Sequence, residues 1–160
     1  MPILLFRVDE RLIHGQVVIG WGKQLQPDRY VVVDDELANS EWEQELYRLA
    51  AADATDVGFC SVADARERIA SWRAGEARTV VLTRDLESML GLAREHAMEG
   101  ESVNLGGIHH TEGRRRVRPY LYLSAEDRER VRALAEEGVT VSGRDLPGSL
   151  GVGLDNLIED

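Results

Sequence analysis

Six short apolar runs rich in β-branched residues recur along the chain: "ILLFRV" (3–8), "YVVVD" (30–34), "VGFCS" (57–61), "TVVLT" (79–83), "SVNLG" (102–106) and "VTVSG" (139–143). Their apolar residues are consecutive rather than alternating, the pattern of strands covered on both faces in a parallel sheet. Segments of helical spacing lie between most of them, at 16–26, 41–53, 63–74, 85–99 and 125–137. In the last of these, Val131, Leu134 and Ala135 form a stripe while acids and arginines take the opposite, solvated face. Alternation of this kind predicts an α/β fold, a single open doubly wound domain over 1–160 with a mainly parallel sheet and helices on both faces. The segments share no side-chain signature, which argues against a repeat array.

Ser40, Ser124 and Asp85 each precede a helical run as N-caps, and Glu43 and Asp127 follow the two serines at capping-box spacing. "RVRPYLYL" (116–123) breaks the rhythm, and its Pro119 points to an edge or irregular strand, an antiparallel partner or a docking arm. No linker or low-complexity stretch intervenes, and the glycine-rich ending "PGSLGVGLDNLIED" reads as a loop leading into a short terminal element.

Charge and composition narrow the function classes. With 19 Lys plus Arg against 29 Asp plus Glu, the net charge of −10 repels a polyanion, so nucleic acid is not expected as a partner. The start "MPILLFRVDE" lacks the basic region, long apolar core and cleavage site of a signal peptide. No apolar run approaches the ~20 residues of a membrane span. Cys60 stands alone in "VGFC", so no internal disulfide forms, and a small buried thiol in a reducing cytoplasm is the expectation.

"RVDERLIHGQVV" (7–18) interrupts this apolar pattern with two arginines, two acids and a histidine at the junction of the first strand and first helix. In open α/β sheets ligands gather there, outside the carboxyl ends of the strands and beside helix N-termini whose free N–H groups attract anions. His14 stands at the helix entrance, with Arg11 three residues before it and Arg7 just inside the strand, two guanidinium groups suited to a phosphoryl dianion. Asp9 supplies an acceptor that can fix the imidazole tautomer, leaving the other nitrogen free to attack phosphorus. The residues alone leave the reacting nitrogen open.

The same stretch closely resembles the N-terminal signature R-[IV]-D-x-R-L-I-H-G-Q-V of the IIB subunits of the mannose/fructose/sorbose family. That family belongs to the bacterial phosphoenolpyruvate-dependent sugar phosphotransferase system. Every fixed position matches, and "VVVDDELAN" (31–39) and "SVNLGGIHHTEGR" (102–114) extend the likeness, the latter resembling the family's N-[IVL]-G-G turn. The resemblance implies a cytoplasmic phosphotransferase associated with the inner face of the membrane through its partners. A IIA phosphohistidine phosphorylates the motif histidine, here His14, which passes the group to a sugar presented by membrane IIC and IID subunits. The motif arginine maps onto Arg11, and Asp9 and Gln16 occupy further motif positions. Neither metal nor organic cofactor is implied.

Further residues admit two readings each. Gly106 and Gly107 offer backbone N–H groups to an anion, or make a tight turn without a ligand. Thr83 ends its strand where its hydroxyl either joins the crevice or caps the next helix. His109 and His110 are adjacent, so in extended chain their side chains point apart, and no zinc spacing follows. "GRRRVR" (113–118) reads as a basic patch for an acidic partner such as IIA, through Arg114, Arg115 and Arg116, or as a solvated run. Trp21, between Gly20 and Gly22, marks close packing against a strand or a surface for IIC. Two rival functions share the turn: a regulatory phosphoprotein that moves no sugar, and a non-catalytic anion-binding module. A homo-oligomer is compatible with all of them.

Overall fold

The six apolar runs all become strands of one sheet. The computed structural model describes residues 2–51 and 55–159. In chain order, β1 (Ile3–Val8) leads through a loop to a π-helical turn (Gln16–Trp21) continuous with α1 (Gly22–Leu25). Then follow β2 (Arg29–Val33), α2 (Glu41–Ala50), β3 (Asp56–Cys60), α3 (Val62–Ala74), β4 (Thr79–Thr83), α4 (Leu86–Ala93) and β5 (Ser102–Leu105). The chain ends with β6 (Arg115–Arg118), β7 (Leu121–Leu123), α5 (Ala125–Glu136), β8 (Thr140–Gly143) and α6 (Leu154–Ile158). The sheet runs β3-β2-β4-β1-β5-β8, and every pairing in it is parallel.

Both faces are covered, which is why the strands are apolar on successive residues. In β2, Val31 and Val33 join one core cluster with residues of α3, α4, α5 and α6, while Tyr30 and Val32 join a second with Leu12, Val17 and Ala51. The neighbours β1 and β4 therefore send their chains onto opposite faces, β1 into the helix that begins at Gln16 and β4 into α4. That divergence opens a crevice at the carboxyl edge of the sheet.

Local chemistry adjusts several expected boundaries. Ser124 and Asp127 form the full capping box and Asp85 caps α4 through the Ser88 amide, but Ser40 makes no side-chain cap, so the box expected with Glu43 is absent. α2 ends at Ala50; of the remainder of the expected 41–53 helix, residues 52 and 53 lie outside the described residues. The helix expected over 85–99 stops at Ala93, and Glu95 and His96 turn left-handed (φ 59° and 58°) as the His96 amide bonds Oε2 of Glu137, the C-cap residue of α5, at 2.8 Å. "RVRPYLYL" is irregular and antiparallel as expected, but pairs with itself instead of joining the main sheet: β6 and β7 form a separate hairpin with a register shift between Arg116 and Arg118, and Pro119 sits in its turn where no ladder N–H is needed. Glycines flanking Trp21 allow close approach. A Cβ on Gly22 would lie 2.5 Å from the Tyr30 hydroxyl of β2, and one on Gly20 would lie 2.7 Å from Leu146 of the loop after β8.

Candidate functional site

Asp9 organises the turn after β1. Its backbone is held by Thr83 and its carbonyl accepts from the Leu12 amide, both at 2.9 Å. Leu12 adopts φ 54°, an uncommon conformation for a branched side chain, and is completely buried, so packing holds the turn in shape. The turned chain presents His14 at the carboxyl edge, 14% exposed, immediately before the π-helical segment. Such helical irregularities are frequent at functional sites.

The Asp9 carboxylate, itself without exposure, has three hydrogen-bond partners and one further ion-pair contact. Oδ1 accepts the Arg11 amide at 3.1 Å, with Arg11 Nε at 3.8 Å; Oδ2 meets Arg7 Nη2 at 3.2 Å and His14 Nε2 at 3.0 Å. Burial pushes this carboxyl up, but the hydrogen bond and charge of His14, the Arg7 guanidinium and the Arg11 amide together hold it below its ordinary range. An acceptor-only carboxylate requires that Nε2 carry the ring proton. The other nitrogen, Nδ1, faces the Gln16 N–H at 3.3 Å and so presents its lone pair. In the neutral ring this pairing sets the tautomer, with the Nδ1 lone pair at the start of the helix. Apart from its chain neighbours, nothing lies within 4 Å of the place a Gly15 Cβ would occupy, so the turn is open beside Gly15.

Arg11 is 44% exposed and donates from Nη2 to Gln16 Oε1 at 2.9 Å, which holds both motif side chains at the rim. Arg7 is placed differently from the expectation of a phosphate ligand. Its guanidinium is fully buried, donating to Asn104 Oδ1, to the Arg144 and Asp145 carbonyls at 2.8 and 3.1 Å, and to Asp9. It also stacks 5.2 Å from the Trp21 ring, whose Nε1 donates to the same Asp145 carbonyl at 3.0 Å. Burial lowers the guanidinium from its ordinary value against the pull of Asp9. Arg7 thus ties β1 to the loop after β8 and positions Asp9, while Arg11 and Gln16 bond each other at the exposed rim of the turn.

The remaining expected site residues are near but differently used. The Gly106–Gly107 turn lies on the same edge as His14. The Gly106 N–H is taken by Val8 O at 2.7 Å, and a Cβ there would stand 2.7 Å from Arg7 Nε. Gly107 accepts the Glu10 amide at 2.8 Å and borders Asp9 Oδ1. Thr83 is completely buried and its hydroxyl donates to the Asp85 carbonyl at 2.9 Å, so it braces the next turn instead of lining the crevice. Arg114 is no free rim charge, lying 3.3 Å from Glu10 Oε2 and 3.5 Å from Asp127 Oδ2, whereas Arg115, Arg116 and Arg118 are exposed on the hairpin.

His109 and His110 are exposed. The first lies 3.3 Å from Glu10 Oε1, the second edge-on to Tyr122, and no cluster that could hold a metal occurs among the described residues. Glu10, Asn104 and Trp21 are the structural partners that sequence reasoning did not assign to this site. Glu10 and Asn104 sit inside the quoted motifs, but their contacts span 99 and 97 residues and leave no local signal.

Residues 3–160 match the family described as PTS system sorbose subfamily IIB component. The chain is 29% identical over 147 residues to N-acetylgalactosamine-specific phosphotransferase enzyme IIB component 1 of Escherichia coli (strain K12), covering 91% of this chain and 92% of that one. It is 29% identical over 150 residues to the mannose-specific EIIAB component of the same organism, covering 90% of this chain but 44% of that longer one. Among solved structures, the IIBSor domain of the sorbose permease from Klebsiella pneumoniae superposes with a TM-score of 0.87 at 27% identity, covering 99% of this chain and 98% of that one.

Proposed function

The chain belongs to the sorbose subfamily of PTS IIB components, and we propose that within that family it is a cytoplasmic phosphocarrier whose reactive atom is His14 Nδ1. It is a transferase component of a sugar phosphotransferase system. In the proposed cycle, Nδ1 attacks the phosphorus of a phosphohistidine on a IIA protein. The P–N bond to the donor breaks as the P–N bond to His14 forms, and the donor ring leaves with the electron pair. A sugar hydroxyl held by membrane IIC and IID subunits then attacks the phosphorus: the P–O bond forms as the P–N bond breaks, the electron pair returns to His14 Nδ1, and the hydroxyl proton is released to solvent. Phosphoryl transfer of this kind asks the protein for in-line placement and charge stabilisation, not covalent assistance.

The observation that carries this reading is the Asp9–His14 pair, 3.0 Å between Oδ2 and Nε2, which leaves Nδ1 as the ring's acceptor, 3.3 Å from the Gln16 amide at the helix start. Asp9 holds the Nε2 proton and offsets the positive charge that grows on the ring as phosphorus attaches. Arg11 meets the phosphoryl oxygens with a planar pair of donors. The donor partner is suggested by the mannose-specific relative named EIIAB. Donor docking is assigned to the exposed hairpin arginines Arg115, Arg116 and Arg118. No helix among the described residues is long and apolar enough to cross a membrane; in this reading the membrane subunits supply the attachment.

Incubation with phosphoenolpyruvate and the upstream phosphotransfer proteins, followed by mass spectrometry, tests the proposal. An acid-labile phosphoryl adduct on His14, absent from a folded His14→Ala variant, is expected. Adduct on His109 or His110 of that variant at the wild-type rate contradicts the assignment, and reversible anion binding without an adduct points to a binding module.

A further inference from the structure

α2 carries an apolar stripe that its own fold leaves uncovered. Trp42, Leu46 and Leu49, at i, i+4 and i+7, are 69%, 57% and 80% exposed, and no residue of the helix is buried. Its opposite side is attached to the second core through Tyr47, so the helix is anchored and the stripe faces outward. The stripe borders a cavity of about 420 Å³ lined by Ile13, Trp42, Leu46, Tyr47 and Arg84, and Ile13 immediately precedes His14. Arg84 is shared with a second cavity of about 450 Å³, lined by Asp34, Asp35, Glu36, Asp85 and Glu87. The Arg84 charge is spent on Asp34 at 2.9 Å, and among the described residues Glu36, Glu41, Glu43 and Glu87 make no ion pair. An apolar groove and an acidic crevice thus lie side by side next to the phosphoryl site.

We propose that this composite face docks the membrane-embedded partner, through a cytoplasmic segment that combines basic and apolar side chains. The inference rests on the carrier reading above, because a face bordering His14 serves whichever protein exchanges the phosphoryl group there. Charge complementarity selects the partner. Cytoplasmic loops of membrane proteins carry an excess of Lys and Arg, which matches the unpaired acids of the crevice and of α2. A lipid surface does not fit, since interfacial helices use Lys and Arg toward anionic headgroups and α2 offers Glu41, Glu43 and Glu45 against Arg48. A second copy would set acidic face against acidic face. Trp at the centre of a partly apolar patch with a charged rim is the composition of a binding hot spot.

The triple variant W42S/L46S/L49S removes the stripe without touching a core residue, and its melting curve verifies the fold. Two readouts separate the docking claim from the carrier claim: phosphoryl transfer, and cosedimentation of unphosphorylated protein with inverted vesicles that hold the membrane subunits. The variant is expected to accept phosphate from the donor within twofold of wild type, yet to lose about tenfold or more in both vesicle binding and transfer to sugar. E36K/E87K is expected to weaken vesicle binding with a flatter salt dependence. Vesicle binding that depends on the stripe supports docking even if His14 proves not to be the phosphorylated residue. Unchanged vesicle binding in the triple variant overturns the proposal. So does selective loss of donor phosphorylation, equal binding to phosphatidylglycerol vesicles without protein, or a wild-type dimer that the variant dissociates.

Discussion

Gly106→Ala separates making room for Arg7 from making contact with a phosphoryl group. Gly106 is pinned by its N–H bond to Val8 O at 2.7 Å, so the backbone cannot swing away. A methyl there would stand 2.7 Å from Arg7 Nε and nearer still to Cζ and Nη2. The guanidinium is wholly buried and bonded to Asn104, Arg144, Asp145 and Asp9, so it has no open volume to move into. Overpacking costs about 1–3 kcal/mol, and loss of one hydrogen bond to a charged group adds ~1.5–3 kcal/mol. The sum, ~2.5–6 kcal/mol, lowers the melting temperature by roughly 8–18 °C at about 3 °C per kcal/mol for a domain of this size. Gly107→Ala is the control: its methyl would meet Asp9 Oδ1 at 3.2 Å, where a small shift suffices, and a loss below ~1 kcal/mol is expected. Thermal melts followed by circular dichroism, with the phosphotransfer rate measured on the same samples, decide between them. A Gly106→Ala variant that melts within about 3 °C of wild type but no longer accepts phosphate would refute the reasoning.

Three further expectations follow from the same geometry. Asp9→Asn leaves the buried Arg7 charge without its counter-ion and is expected to cost ~3 kcal/mol or more; urea titrations that find less than ~1 kcal/mol would speak against the pairing. Because the folded Asp9 value lies below its ordinary 3.8, its stabilisation is complete above the unfolded value and disappears as pH falls through the folded one, so wild type should lose more stability on acidification than Asp9→Asn does. Arg11→Lys keeps the charge at an exposed position and should melt within ~0.5 kcal/mol of wild type while slowing phosphotransfer about tenfold, unless a point charge suffices. The buried Cys60 thiol is pushed up to about 11, so a thiol reagent at pH 8 should label it only after unfolding; rapid labelling of native protein would contradict that.

Strand positions were legible because covered parallel strands need consecutive apolar residues, and "TVVLT" coincides with β4 (Thr79–Thr83) while the other runs lie within a residue of theirs. The position of His14 was legible too, since the motif straddles the end of an apolar run and the start of a helical one. What the motif hides is which arginine faces outward. Arg7 and Arg11 look equivalent in sequence, but β5 and β8 lie on one side of β1 and bring Asn104 and the carbonyls of residues 144 and 145 onto Arg7 alone. Gly106 stood open between an anion cradle and a plain turn for the same reason: the group it accommodates comes from a strand 99 residues earlier. α2 showed a helical period but not how its apolar residues divide, with Tyr47 turned to the core and Trp42, Leu46 and Leu49 to solvent. Ser40 had the right type and spacing for a cap, yet its side chain makes no capping bond.

The most direct test of the account is the identity of the phosphorylated atom. Protein labelled with nitrogen-15 at histidine, phosphorylated through the upstream proteins and kept at alkaline pH, reports by phosphorus and nitrogen NMR which ring nitrogen of His14 carries the group. The account predicts phosphorus on Nδ1, with Nε2 still protonated and bonded to Asp9. Phosphorus on Nε2 would contradict it, because that atom would first have to leave the buried carboxylate that organises the site.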